Sequence, residues 1–161
     1  MTDKPSKSLN KSLNKPGDKT HYGILPSLLG FQVRRAQFAM FQHFQKYIEM
    51  TDITPSQTGV LVLVGENPGI SQVALAKAIG IERASLGEVI GRFEKQGWIT
   101  RKEAPWDKRS LAVYLTEAGE KLVKELLPAI QAHEELLSNN FTTEERETLI
   151  HLLRRLADNF D

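Results

Sequence analysis

The stretch Trp98-Ile-Thr-Arg-Lys-Glu-Ala-Pro-Trp-Asp-Lys-Arg-Ser-Leu-Ala-Val-Tyr-Leu-Thr116 constrains the fold more than any other part of the chain. It reads as two short strands joined by a polar, turn-like loop, Ala104 to Arg109, with Asp107 and Arg109 near the tip. Trp98, Ile99 and Arg101 begin the first strand, and Leu111, Val113 and Leu115 alternate on its partner with the period of two expected of a half-buried strand. What such a basic hairpin does depends on the segment just before it.

That segment reads as consecutive helices. Thr54-Pro55 starts a helix over 55–65, Thr54 capping and Pro55 in the first turn, and Asn67-Pro68-Gly69 ends it. Ser71 is placed to cap a short helix over 72–78, with Val73, Leu75, Ala76 and Ile79 able to face a core. Gly80 permits a turn, and 82–96 forms the next helix. There Ala84, Leu86, Val89, Ile90 and Phe93 can pack, while Arg83, Ser85, Gly87, Glu88 and Arg92 suit the outer side, and Gly97 is the expected stop. Two short helices on a tight turn, the second with small and polar outer residues, match the mechanics of insertion into a DNA groove. Alone they would read better as an ordinary helical hairpin. The basic β-hairpin that follows makes a winged helix-turn-helix the better reading.

The flanks are helical too. Residues 25–49 form a long helix whose Leu28, Leu29, Phe31, Val33, Phe38, Met40, Phe41, Phe44, Tyr47 and Ile48 occupy more than one face. That is too much apolar surface for a helix with an open solvent side, and other helices, from a second subunit included, would resolve it. Thr116 caps a helix over about 117–137, in which Gly119 is an awkward early residue and Pro128 a point of kinking or interruption. Thr142 or Thr143, followed by Glu144, Glu145 and Glu147, starts a last helix through about Asn159, with Leu149, Leu152, Leu153 and Leu156 on its apolar face. The fold class is therefore mainly α with a small β wing. Residues 1–20, with Lys-Ser-Leu-Asn repeated at 7–10 and 11–14, bury too little apolar surface to offset ordering. They read as a flexible basic arm, a solubilising tail or a short DNA contact.

Charge distribution supports a polarised molecule. The net charge is only +1, yet residues 83–109 hold seven Lys/Arg against four Asp/Glu, and residues from Thr116 onward hold ten acidic against five basic side chains. The absence of cysteine removes disulfides, thiolate catalysis and Cys-ligated zinc. Ser27, Ser56, Ser71 and Ser85 lack a nucleophile-elbow context, and there is no Gly-rich phosphate loop, so neither an enzyme nor a cofactor is expected. His21, His43, His133 and His151 form no short-spaced metal motif, although folding could gather two of them. No apolar run approaches membrane-spanning length and no signal core follows the N-terminus, so a cytoplasmic protein without a membrane partner is expected.

Residues 56–119 resemble the MarR family of winged helix-turn-helix regulators. The resemblance is carried by Gly69-Ile-Ser-Gln, Leu75-Ala, Ser85, Phe93-Glu-Lys-Gln-Gly-Trp-Ile, Arg101 and Asp107-Lys-Arg-x-x-x-Val-Tyr-Leu-Thr-x-x-Gly119, and the helix order extends it over 24–160. It implies a homodimer whose terminal helices interlock, bound to a palindromic double-stranded operator, often as a repressor released by a small ligand. The corresponding regions are a first dimerisation helix in 21–54, a DNA-binding region in 55–116 and C-terminal dimerisation helices in 117–161. By matching motif positions, 82–96 is the recognition helix, Arg109 the wing arginine that enters a minor groove, and Asp107 the acid that orients it. A guanidinium suits that narrow, electronegative groove, although Arg109 could also contact phosphate alone. Lys108, Arg101 and Lys102 are candidates for phosphates, and Arg83, Ser85, Glu88 and Arg92 for base edges.

The segment from His21 to Arg35 is similar to that of family members controlling aromatic-acid breakdown. That implies an aromatic acid or aromatic acyl-CoA effector, such as a hydroxycinnamoyl-CoA. Arg34, Arg35 and His43 could pair with a carboxylate or CoA phosphates, and Phe38, Phe41 and Phe44 could surround a ring. Competing readings are interface ion pairs for the arginines, a polar helix position for His43 and core positions for the phenylalanines. An architectural DNA-coating protein without an effector, and a protein-interaction winged helix, are the alternative classes.

Overall fold

The computed structural model describes residues 20–48, 52–104 and 107–159, without the side chains of 107–109. The element order is α1 (Leu29–Tyr47), α2 (Pro55–Glu66), β1 (Ile70–Ser71), α3 (Gln72–Ile79), α4 (Arg83–Lys95), β2 (Ile99–Ala104), β3 (Asp107–Leu115), α5 (Glu117–Ser138) and α6 (Thr143–Asp158). The expected basic arm at 1–20 lies, but for Thr20, outside the described residues.

Helix starts follow the capping chemistry in the sequence. Thr54 accepts from the Gln57 amide at 3.3 Å while the Gln57 side chain accepts from the Thr54 amide at 3.0 Å, a reciprocal box at the start of α2. Thr142 and Glu145 repeat it before α6. Ser71 caps α3 through the Ala74 amide at 3.2 Å, and Thr116 caps α5 through the Gly119 amide at 3.1 Å. Gly80, with φ 73°, takes the left-handed conformation that ends α3.

The chain divides into two units, residues 1–37 and 38–161. In the first, a 3₁₀ turn at Leu25–Ser27 precedes α1, which begins at Leu29 rather than Leu25, because Pro26 fits the first turn of a short separate element. In the second unit, α2 is apolar on every side and buries Val60, Leu61 and Val64. Leu75 of α3, Leu86, Ile90 and Phe93 of α4, Ile99, Val113, and Leu122 and Leu126 of α5 join it in one core. The sheet order is β1-β3-β2, both pairs antiparallel. The two-residue β1, absent from the sequence expectation, places Ile70 opposite Val113 and Ser71 opposite Ala112.

Several local expectations need correction. Val73 is 59% exposed and Ala84 is exposed, because each sits in a first helical turn that points away from the core. Leu111 shares a strand face with Val113 but is 45% exposed, since the hairpin there has run past the core. Trp98 precedes β2 instead of beginning it. Helix α5 is not interrupted at Pro128, which is exposed. Gly119 is not merely tolerated: a Cβ there would lie 2.0 Å from the Trp98 carbonyl oxygen.

Candidate nucleic-acid interface

Leu86, Ile90 and Phe93, spaced three or four residues apart, pin one face of α4 into the core. Ser85, Glu88 and Arg92 lie on the outward side and Arg83 at the helix start, all four exposed as expected, with Gly87 half-buried. The Arg92 guanidinium lies 5.6 Å from the centre of the Phe93 ring. No Cβ contact within 4 Å would arise at Gly87 or Gly91, so this stretch of the helix surface is open.

A Schellman turn ends α4. The Gly97 amide donates to the Glu94 carbonyl at 3.0 Å and the Trp98 amide to the Phe93 carbonyl at 2.9 Å, with Gly97 at φ 74°. The turn is tied to the start of α5: the Thr116 amide donates to the Trp98 carbonyl at 3.0 Å, and the Thr116 hydroxyl to the Gly97 carbonyl. Helix α4, the base of the wing and α5 therefore meet at one joint.

From that joint the hairpin runs out, with Arg101 opposite Val113 and an irregularity between Glu103 and Ala104. Arg101, expected as a phosphate contact, forms a two-pronged ion pair with Glu94 of α4, Nε to Oε1 at 3.2 Å and Nη2 to Oε2. Hydrogen bonding to Arg101 holds the Glu94 carboxyl below its ordinary range, and the same bond raises the Arg101 guanidinium. The exposed Lys102 has its ammonium 5.2 Å from the centre of the Tyr114 ring. Gly69, at φ 89°, leaves room for the Tyr114 hydroxyl, which would lie 2.9 Å from a Cβ. The side chains of Asp107, Lys108 and Arg109 lie outside the described residues, so the expected brace between Asp107 and Arg109 does too.

Of the residues expected to meet a ligand, Arg34 and Arg35 are exposed, and the Arg35 guanidinium lies 5.8 Å from the Phe31 ring centre. In the second unit, Phe38 is 65% exposed, Phe41 half-buried and His43 exposed, whereas Phe44 is a core residue. Folding does gather two histidines, with the His43 and His133 rings 5.1 Å apart. Phe44 meets His133 edge-on at 5.3 Å and Tyr47 lies 5.9 Å away. His133 is 3% exposed and its Nε2 has no hydrogen-bond partner among the described residues. Burial, then the neighbouring His43, push its pKa below the ordinary value, against a smaller opposing effect of Glu134. Among the described residues no group of three potential ligands could hold a metal ion, and no helix is long and apolar enough to cross a membrane.

The MarR family profile matches residues 53–111, from the start of α2 to the middle of the wing. A putative transcriptional regulatory protein for the hcr operon of Thauera aromatica is 35% identical over 136 residues, covering 84% of this chain and 82% of that one. The chain belongs to the MarR family. It is thus a DNA-binding transcriptional regulator and not an enzyme. The transcriptional repressor CouR bound to a 23-mer DNA duplex superposes with a TM-score of 0.80 at 29% identity, over 87% of this chain and 99% of that one. BpsR of Bordetella bronchiseptica, whose DNA binding is regulated by 6-hydroxynicotinic acid, gives 0.79 at 27% identity, over 88% and 99%.

Sequence reasoning missed β1, the pairing of Glu94 with Arg101, and that His133 is the histidine that meets His43. Glu94 lies seven residues from Arg101, and only the Gly97 turn brings them together. His133 is separated from His43 by ninety positions, and no local pattern links them.

Proposed function

We propose that this regulator is a homodimeric repressor that binds a palindromic operator and is released by a small aromatic acid or aromatic acyl-CoA, such as a hydroxycinnamoyl-CoA. The carrying observation is the apolar stripe of α6, a helix with no buried residue: Leu149, Leu152 and Leu153 are 42%, 49% and 44% exposed. Such a repeat on an otherwise charged helix fits a second copy of the chain, and two copies present two recognition helices to a two-fold-symmetric site. In this reading the exposed Arg83, Ser85, Glu88 and Arg92 face base edges. Arg109 enters the minor groove, oriented by Asp107, while Lys102 and Lys108 meet phosphates.

The effector class is supported by the likeness to BpsR and its regulation by 6-hydroxynicotinic acid. Arg34 and Arg35 are proposed as cations for a carboxylate or CoA phosphates, and Phe38, Phe41, His43 and Phe44 as ring contacts. Titration of hydroxycinnamic acids and their CoA thioesters into the complex with a duplex selected from a randomised pool tests this. Release by one of them, lost on replacing Arg34 and Arg35 with alanine, is expected; no release by any sinks the effector assignment. On the same duplex Arg109→Ala should weaken binding by about 1–3 kcal/mol, and unchanged affinity would remove Arg109 from the interface.

A further inference from the structure

We propose that the Glu94–Arg101 ion pair fixes the angle of the wing against the recognition helix, which makes Arg101 a positioning residue and not a phosphate contact. Glu94 sits one residue from the end of α4, and Arg101 is the third residue of β2. Two hydrogen bonds from adjacent nitrogens of one planar guanidinium, Nε and Nη2, fix orientation as well as distance, which a single contact would not. Arg101 also stands opposite Val113 in the ladder, and Val113 is fully buried. Holding Arg101 therefore holds both wing strands at the level where the hairpin leaves the core. The anchor on the other side is equally firm, since Phe93, the residue before Glu94, is fully buried.

Charge leads to the same assignment. A phosphate contact acts by releasing counterions, and a guanidinium already neutralised by a carboxylate releases few. Both side chains are about one-third exposed, and ion pairs at that exposure contribute little to stability. The geometric role is what the pair adds, as a directional polar tie beside the Gly97 turn, the Thr116 contacts and the apolar packing that Phe93 shares with Trp98 and the core.

The inference rests on DNA binding alone and is independent of subunit number and effector. Its test is the affinity of the full-length protein for a selected duplex over a range of salt concentrations, with melting midpoints recorded for each variant. The deciding variant is Glu94→Gln, which keeps shape and removes a negative charge from the DNA-facing side. Electrostatics alone predicts tighter binding; loss of the brace predicts weaker binding, by about tenfold, within the range for directly coupled residues. Arg101→Ala should lose a similar factor with an unchanged salt slope, and the double variant should be no worse than either single one. Arg101→Lys should not restore binding, because an ammonium cannot make the paired geometry. Equal or tighter binding by Glu94→Gln would overturn the proposal. So would wild-type affinity in Arg101→Lys, or a fall in salt slope of about 0.9 in Arg101→Ala, the signature of one lost phosphate contact.

Discussion

Replacing Gly119 with alanine is a demanding test of how the DNA-binding module is joined to α5. The added Cβ would lie 2.0 Å from the Trp98 carbonyl oxygen and 3.3 Å from Leu115 Cδ2, so oxygen and carbon must separate by about 1 Å to reach the 3.0 Å floor for real contacts. The obstacle is backbone, and it cannot rotate away as a side chain would. That same carbonyl accepts the Thr116 amide, and Gly119 donates the capping hydrogen bond to the Thr116 hydroxyl. Overpacking of this kind costs about 1–3 kcal/mol. Weakening the Thr116–Trp98 bond adds about 1 kcal/mol, and disturbing the cap adds a similar amount. The better helix propensity of alanine returns about 1 kcal/mol. A net loss of about 2–4 kcal/mol remains, which in a chain of this size lowers the melting midpoint by roughly 4–16 °C. Thermal unfolding at fixed protein concentration is the assay, because association would otherwise shift the midpoint. Gly91→Ala is the control: its Cβ meets nothing within 4 Å, so it should melt at or slightly above the wild-type temperature. A Gly119→Ala protein as stable as Gly91→Ala would refute the close approach.

Two further outcomes follow from the same geometry. His133, held neutral by burial, has its folded pKa below the unfolded value near 6.5, so below that pH the unfolded chain takes up a proton that the folded chain refuses. Stability is then complete above about pH 6.5 and falls toward the folded pKa at up to about 1.4 kcal/mol per pH unit; urea unfolding from pH 7.5 to 5 should show this component in wild type and its loss in His133→Phe, and identical pH profiles would contradict it. For the homodimer proposed above, glutamates at both Leu152 and Leu153 should halve the sedimentation mass while the helical circular dichroism is kept, and an unchanged mass would remove α6 from the proposed subunit interface.

Much of this was legible because the punctuation is local. Thr54-Pro55, Ser71 and Thr116 each mark a helix start through a side chain that reaches an amide three residues on, and of Thr142 and Thr143 the structure selects Thr142 as the fourth such cap. The outward face of α4 was legible for a similar reason: Leu86, Ile90 and Phe93 recur with the helical period and leave Ser85, Glu88 and Arg92 on the other side. What escaped depends on distant backbone. Strand β1 has two residues, too few for alternation, and exists because β3 offers it a partner. Gly119 looks like a poor helix residue until the Trp98 carbonyl is placed against it. Arg101 looks like a free cation until the Gly97 turn folds β2 back toward Glu94 and pairs the two side chains.

Sequence-selective DNA binding is tested most directly by competition between a palindromic duplex from upstream of the protein's own gene and a random duplex of equal length, titrated over a range of salt. The expected result is a preference for the palindrome of at least about 10³-fold near physiological salt, with both affinities falling as salt rises. Equal affinity for the two duplexes at every salt concentration would contradict it and leave a winged-helix protein that coats DNA.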